Sequence, residues 1–186
     1  MQIRLAQELQ PDSVVDGEGI RTVIWCQGCS HNCKGCHNPE THPFKKGFLR
    51  DVEEIKKEIL SLEGQDGITL SGGDPLFQVP ASLEIARFCK QNGLNVWCYT
   101  GFTFEELLEK AKQDKQILEL LKNIDVLIDG KYIEEQGSLG LRFAGSKNQR
   151  ILDVKKSLKK NIAIKKSEKK DKKIKQKYGK LKHIYI

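Results

Sequence analysis

Residues 21–38 read RTVIWCQGCSHNCKGCHN, six residues of strand-forming character running straight into a stretch that brings the count to four of the chain's six cysteines. Val23, Ile24 and Trp25 favour a pleated, half-buried strand over residues 21–26. Beyond it, Gly28, Asn32, Gly35 and Asn38 disfavour a helix, glycine by about 1 kcal/mol apiece. The cysteines are therefore expected in a loop that leaves the end of a strand.

The segments downstream alternate in period. DVEEIKKEILSLEG (51–64) places Val52, Ile55, Ile59 and Leu62 on one helical face behind Asp51 as N-cap. GITL (67–70) is a strand that runs into Ser71-Gly72-Gly73-Asp74-Pro75. A helix over 81–92, with Pro80 at its start, precedes the strand LNVWCY (94–99) and the Thr100-Gly101 turn. Thr103 with Glu106 forms a capping-box pattern ahead of FEELLEKAKQ, and a helix over 116–121 leads to a strand over 124–128 that ends at Asp129-Gly130. Residues 131–150 read as loop, and QRILDV (149–154) as one further strand. Such alternation predicts an α/β fold with a parallel sheet and right-handed crossovers. In such sheets the loops after the strands open on one face, where ligands bind. The cysteine loop, SGGDP, YTG and IDG are thus expected to line one pocket.

With 186 residues the chain has room for a single domain with a full core. The N-terminal MQIRLAQELQPDS lacks the apolar run of a signal peptide, and no apolar stretch approaches the ~18 residues of a membrane span. A cytoplasmic location is expected, and in that reducing compartment clustered cysteines point to metal or redox chemistry rather than disulfides. Fourteen lysines lie in residues 155–186 against only Glu168 and Asp171, so the net charge of +7 conceals a body (1–154) of about −5. The lysine-rich segment has no arginine and only Tyr178 and Tyr185 as aromatics, which argues against a nucleic-acid reader and for a solvated, partly helical appendage. The division expected is a domain over 1–154 and a tail over 155–186.

Cys26-x2-Cys29 and Cys33-x2-Cys36 look like two zinc half-sites, but zinc modules separate theirs by about 12–20 residues and here only Ser30, His31 and Asn32 intervene. Cys29, Cys33 and Cys36 would share a helical face, but the glycines disfavour that helix. The remaining reading is Cys29-x3-Cys33-x2-Cys36 as three thiolates around a cubane iron-sulfur cluster, with one iron left free of protein ligands. Alternation along the strand sends Cys26 to the core, and Cys89 in a helix and Cys98 in a strand are read likewise.

CxxxCxxC after the first strand resembles the cluster motif of the radical S-adenosylmethionine (SAM) superfamily. That resemblance implies a compact, incomplete (βα) barrel, with a 4Fe-4S cluster on Cys29, Cys33 and Cys36 whose open iron chelates SAM. It further implies reductive cleavage to methionine and a 5'-deoxyadenosyl radical. SGGDP looks like the strand end that contacts the SAM amino group through Gly72, Gly73 and Asp74; as a plain turn, Asp74 would cap a helix begun by Pro75. Many members carry an aromatic residue before the third cysteine, where this chain has Gly35. The pattern GCxHxCxGCxN, followed by SGGDPL, VWCYTGFTFEEL, DVLIDGKYIEE and GSKNQRILD, resembles the anaerobic ribonucleoside-triphosphate reductase-activating family over residues 12–154. By that resemblance Gly35, Cys36 and His37 join Gly73 in contacting SAM. The partners implied are the reductase, which would receive a glycyl radical, and flavodoxin or ferredoxin as electron donor, with no membrane. No acid–base constellation appears, and radical chemistry needs none. His31 is expected in loop packing; Trp25, Trp97 and Tyr99 are expected in the core, and Asp129 and Arg150 stay open between site and surface roles. The alternatives are an activase of another glycyl-radical enzyme such as pyruvate formate-lyase, a 7-carboxy-7-deazaguanine synthase, and a non-catalytic zinc-binding module.

Overall fold

The computed structural model describes residues 1–167. Two short strands, β1 (Gln2–Leu5) and β2 (Gln10–Ser13), flank one edge of the RTVIWC strand, β3 (Arg21–Cys26). After the cysteine loop come β4 (Phe48–Asp51) and α1 (Val52–Ser61), with the Asp51 carboxylate accepting from the Glu53 backbone N–H at 2.8 Å. β5 (Gly67–Gly72), α2 (Val79–Gln91, Pro80 in its first turn) and β6 (Asn95–Tyr99) follow. Then come α3 (Phe104–Ala111), opened by the Thr103–Glu106 capping box, α4 (Lys115–Lys122) and β7 (Val126–Asp129). The described chain closes with β8 (Arg150–Asp153) and α5 (Val154–Lys160).

All eight strands join one sheet in the order β4-β1-β3-β5-β6-β7-β8, with β2 also on β3. The central β3, β5, β6 and β7 are parallel; β1, β2, β4 and β8 are antiparallel, so the expected parallel sheet forms the middle only. Among the described residues the sheet ends at β4 and β8, and those two strands do not pair.

Period-2 alternation divides the side chains cleanly. Ile24, Cys26, Val96, Cys98 and Leu127 pack toward the helices in the main core. Trp97, Val126 and Ile128, with Tyr99, Phe143 and Ile151 against them, face the other side. Register places Cys26 opposite Gly72 and Tyr99 opposite Ile128, so the parallel strands end at one edge and their loops leave together.

The packed body continues past residue 154, where the sequence reading set its boundary. Val154 and Ser157 are buried in α5, the Asp153 N–H bonds Ile164 O, and the Lys166 N–H bonds Ile151 O, sealing the outer edge of β8. Polar lysines on the outer face masked these few anchors in the sequence. The expected tail over 168–186 lies outside the described residues. No described helix is long and apolar enough to cross a membrane.

Candidate functional site

The cysteine loop turns back on itself through left-handed backbone at Gly28 (φ +107°), Asn32 (φ +50°) and Gly35 (φ +69°). Its base is tied down by Gly28 N–H to Thr41 O at 2.8 Å and Cys29 N–H to His42 O at 3.0 Å. Cys29, Cys33 and Cys36 line one cavity of about 110 Å³, together with Gly73, the Tyr99–Gly101 turn and Gly130. The four loops that the topology was expected to gather do meet there.

These three thiols are partly exposed, whereas Cys26, Cys89 and Cys98 are buried. Burial pushes the Cys26 and Cys89 thiols up to about 12 and raises Cys98 well above its ordinary value, so these three stay protonated packing groups. Burial also pushes Cys29 up to about 11 and raises Cys36. A ligand that holds thiolates here must therefore bring its own positive charge. Among the described residues no three His, Cys, Asp or Glu side chains gather at single-ion range. A cubane does not ask this of them, because each thiolate reaches a different iron. Three thiols lining one cavity are a donor set that a 4Fe-4S cluster accepts.

A larger cavity of about 410 Å³ shares Cys36 with the first and is walled by His37, Gly72, Trp25, Tyr99 and Tyr132. The His37 ring lies 4.8 Å from that of Tyr132. Trp25 borders this cavity rather than the core expected for it, Tyr99 borders it while packing against the Trp97 cluster, and Trp97 is buried as expected. A third cavity of about 290 Å³, beside Trp97 and Phe143, contains no cysteine.

The glycines of SGGDP have a physical reason different from ligand approach. A Cβ on Gly72, at φ +96°, would sit 2.5 Å from Cys26 O, and one on Gly73 would sit 2.5 Å from Gly28 O. Their bareness lets the strand end lie against the cysteine loop, where Gly73 N–H bonds Cys26 O at 2.7 Å and Asp74 N–H bonds Gly28 O at 3.0 Å.

Asp74, expected among the SAM contacts, turns its carboxylate inward. It is fully buried and accepts from Leu76 N–H (2.9 Å), His31 Nε2–H (2.7 Å), Thr100 Oγ–H (2.9 Å) and Gly101 N–H (3.0 Å), which leaves it no face toward either cavity. Gly35 faces the Glu134 carboxylate, 2.7 Å from where its Cβ would stand. Asp129 and Arg150 resolve as an internal pair. Asp129 accepts from Phe104 N–H at 2.7 Å and Arg150 Nε–H at 2.9 Å, and Arg150 reaches on to Glu105 at 2.6 Å.

Two wall residues escaped the sequence reading, Tyr132 and Gln149, because both lie in the stretch read as plain loop. Gln149 donates to Gly130 O at 3.0 Å and accepts from Gly145 N–H at 2.8 Å, pinning that loop over the site. In the sequence Gln149 stood out only as part of the GSKNQRILD segment that carries the family resemblance.

A family model described as "4Fe-4S single cluster domain" matches residues 15–152. The chain is 38% identical over 151 residues to the anaerobic ribonucleoside-triphosphate reductase-activating protein of Haemophilus influenzae, covering 76% of this chain and 92% of that one. It is 38% identical over 149 residues to the protein of that name from Vibrio cholerae, with the same coverage. Against the one from Enterobacteria phage T4 identity is 35% over 154 residues, covering 77% and 90%. A solved structure of QueE from Escherichia coli aligns with a TM-score of 0.45 at 17% identity, over 55% of this chain and 54% of that one, a likeness too slight to add weight. Three thiols turned into one cavity, in a chain that matches these proteins over nearly their whole length, place it in the anaerobic ribonucleoside-triphosphate reductase-activating protein family, with the 4Fe-4S single cluster domain as its body.

Proposed function

We propose that this protein is a SAM-cleaving activase that generates a glycyl radical on an anaerobic ribonucleoside-triphosphate reductase. The observation that carries the reading is the cavity lined by Cys29, Cys33 and Cys36, adjoining the larger cavity through Cys36 itself. In this reading Cys29, Cys33 and Cys36 would hold the 4Fe-4S cluster, and SAM would bind in the adjoining larger cavity beside Gly72 and His37, with Gly73 at the cysteine side. Bound there, the reduced cluster and SAM supply the chemistry: one electron splits the sulfonium to methionine and a 5'-deoxyadenosyl radical, which takes a hydrogen from a glycine of the reductase. The chain's own part is positioning and enclosure. Trp25, Tyr99 and Tyr132 wall the cavity, and Gln149, bonded to Gly130 O, lines it with them.

We read the open sheet as an incomplete barrel of the radical SAM type, whose unpaired ends suit the admission of a loop from a large partner. Flavodoxin or ferredoxin is the proposed electron donor.

The test is anaerobic purification, metal assay, chemical reduction and measurement of 5'-deoxyadenosine. Iron in cubane proportion with SAM-dependent 5'-deoxyadenosine is expected. Stoichiometric zinc without iron would overturn the reading in favour of a non-catalytic zinc module.

A further inference from the structure

His31 stands at the tip of the cysteine loop between Cys29 and Cys33, and its ring side chain is 7% exposed. Its Nε2 lies 2.7 Å from Asp74 Oδ2, the oxygen that also accepts from Thr100 Oγ–H and Gly101 N–H. The other Asp74 oxygen accepts from Leu76 N–H. An oxygen already filled by two donors is an acceptor for the ring, so His31 donates.

The surroundings are built for this contact. The His31 ring packs edge-on to Phe102 at 4.5 Å and tilted against Phe77 at 5.5 Å. A Cβ on Gly101 would meet the ring at 2.4 Å, so the glycine of the YTG turn is what makes room for it. One buried carboxylate therefore gathers three strand-end loops: the cysteine loop after β3, the SGGDP turn after β5 and the YTG turn after β6. Backbone bonds from Gly73 and Asp74 fix only the loop's base, at Cys26 and Gly28. His31 is the buried side-chain tie on its tip, where the other, the Lys34–Glu134 ion pair at 2.8 Å, is exposed.

We infer that His31 is a positioning residue: through Asp74 it locks the Cys29–Cys36 thiol array in register with the Gly72-Gly73 strand end that borders the neighbouring cavity. Loss of the donor releases the tip and leaves the buried Asp74 oxygen with the Thr100 and Gly101 donors alone. The thiols then fluctuate relative to the strand end before any cofactor binds. The consequence for cofactor geometry rests on the proposed function, whereas the lock itself does not.

The test separates the two by starting with the cluster-free chain. His31→Phe keeps a ring against Phe102 and Phe77 but removes the donor, and His31→Gln restores an N–H close to the Nε2 position. Alkylation of Cys29, Cys33 and Cys36 by iodoacetamide, read peptide by peptide, is expected to quicken about tenfold in His31→Phe and to return toward the parent rate in His31→Gln. After anaerobic cluster loading, the SAM-induced change in the electron paramagnetic resonance spectrum of the reduced cluster should weaken in His31→Phe and recover in His31→Gln. Equal alkylation rates in the parent and His31→Phe would overturn the lock, because ring packing alone would then explain the residue; a His31→Gln chain as fast as His31→Phe would overturn it too, because a restored N–H would then fail to hold the tip. Altered alkylation rates with no response to SAM in the parent chain would leave the lock standing and defeat the proposed function instead.

Discussion

Cys26 and Cys29 stand three positions apart, yet strand alternation sends the first under the helices beside Ile24 while the turn at Gly28 swings the second into the cavity. Cys26→Ala should keep the iron content of the anaerobically loaded protein and lower unfolding stability by about 1 kcal/mol through lost packing. Cys33→Ala should lose the cluster, and an iron assay with denaturant titration checks both. Gly35 makes a second case at this scale. Its φ of +69° costs any other L-residue about 1–2 kcal/mol, and Gly35→Ala is expected to destabilise the fold by that much in a urea titration. That Cys29, Cys33 and Cys36 leave the strand in a loop and line one cavity was legible from spacing and glycine content. Asp74, Tyr132 and Gln149 were not, because their roles come from partners distant in sequence and from a loop closing over the site.

Among the elements, the strands and helices with strong periodicity stand where the sequence put them, from α1 to β8, with ends shifted by a residue or three. β1, β2 and β4 went unread for a physical reason: QIRL, QPDS and FLRD are four residues each, and pairing to β3 or to each other makes them strands, not their composition. The capping box of α3 was legible and is formed, with Glu106 N–H bonded to Thr103 Oγ and Thr103 N–H to the Glu106 carboxylate. Thr103→Ala should cost about 1 kcal/mol in thermal or urea unfolding.

Buried thiols give the elements a pH dependence. Cys26 in β3 and Cys89 in α2 are raised from 9.0 to about 12 by burial. Below about pH 9 neither state ionises and the effect on stability is constant; above it the unfolded chain releases protons that the fold retains. Stability should therefore fall as pH rises from 9 toward 12, by at most about 1.4 kcal/mol per unit for each thiol. Urea midpoints at successive pH values check this, with a shallower decline expected for Cys89→Ala.

At the scale of the whole molecule, the convergence of four loops on one edge was legible, since it follows from parallel strands alone. The packed extent of the chain was not. Truncation at Lys155 removes most of α5 and the 164–166 segment bonded to β8, along with the Lys166–Glu18 ion pair and the Lys166 ammonium 5.7 Å from the Trp97 ring. Such a truncation is expected to lower the thermal midpoint measurably, a loss that a mere appendage at 155 would not produce.

The action of the assembled site on a partner has a direct spectroscopic test. The reduced, cluster-loaded protein is mixed with SAM and an anaerobic ribonucleoside-triphosphate reductase, and in parallel with a pyruvate formate-lyase, and the electron paramagnetic resonance signal at the glycyl position is recorded. A SAM-dependent glycyl-radical doublet on the reductase, lost with Cys33→Ala, is the expected result; no doublet on the reductase, or one formed only on the formate-lyase, would contradict the account.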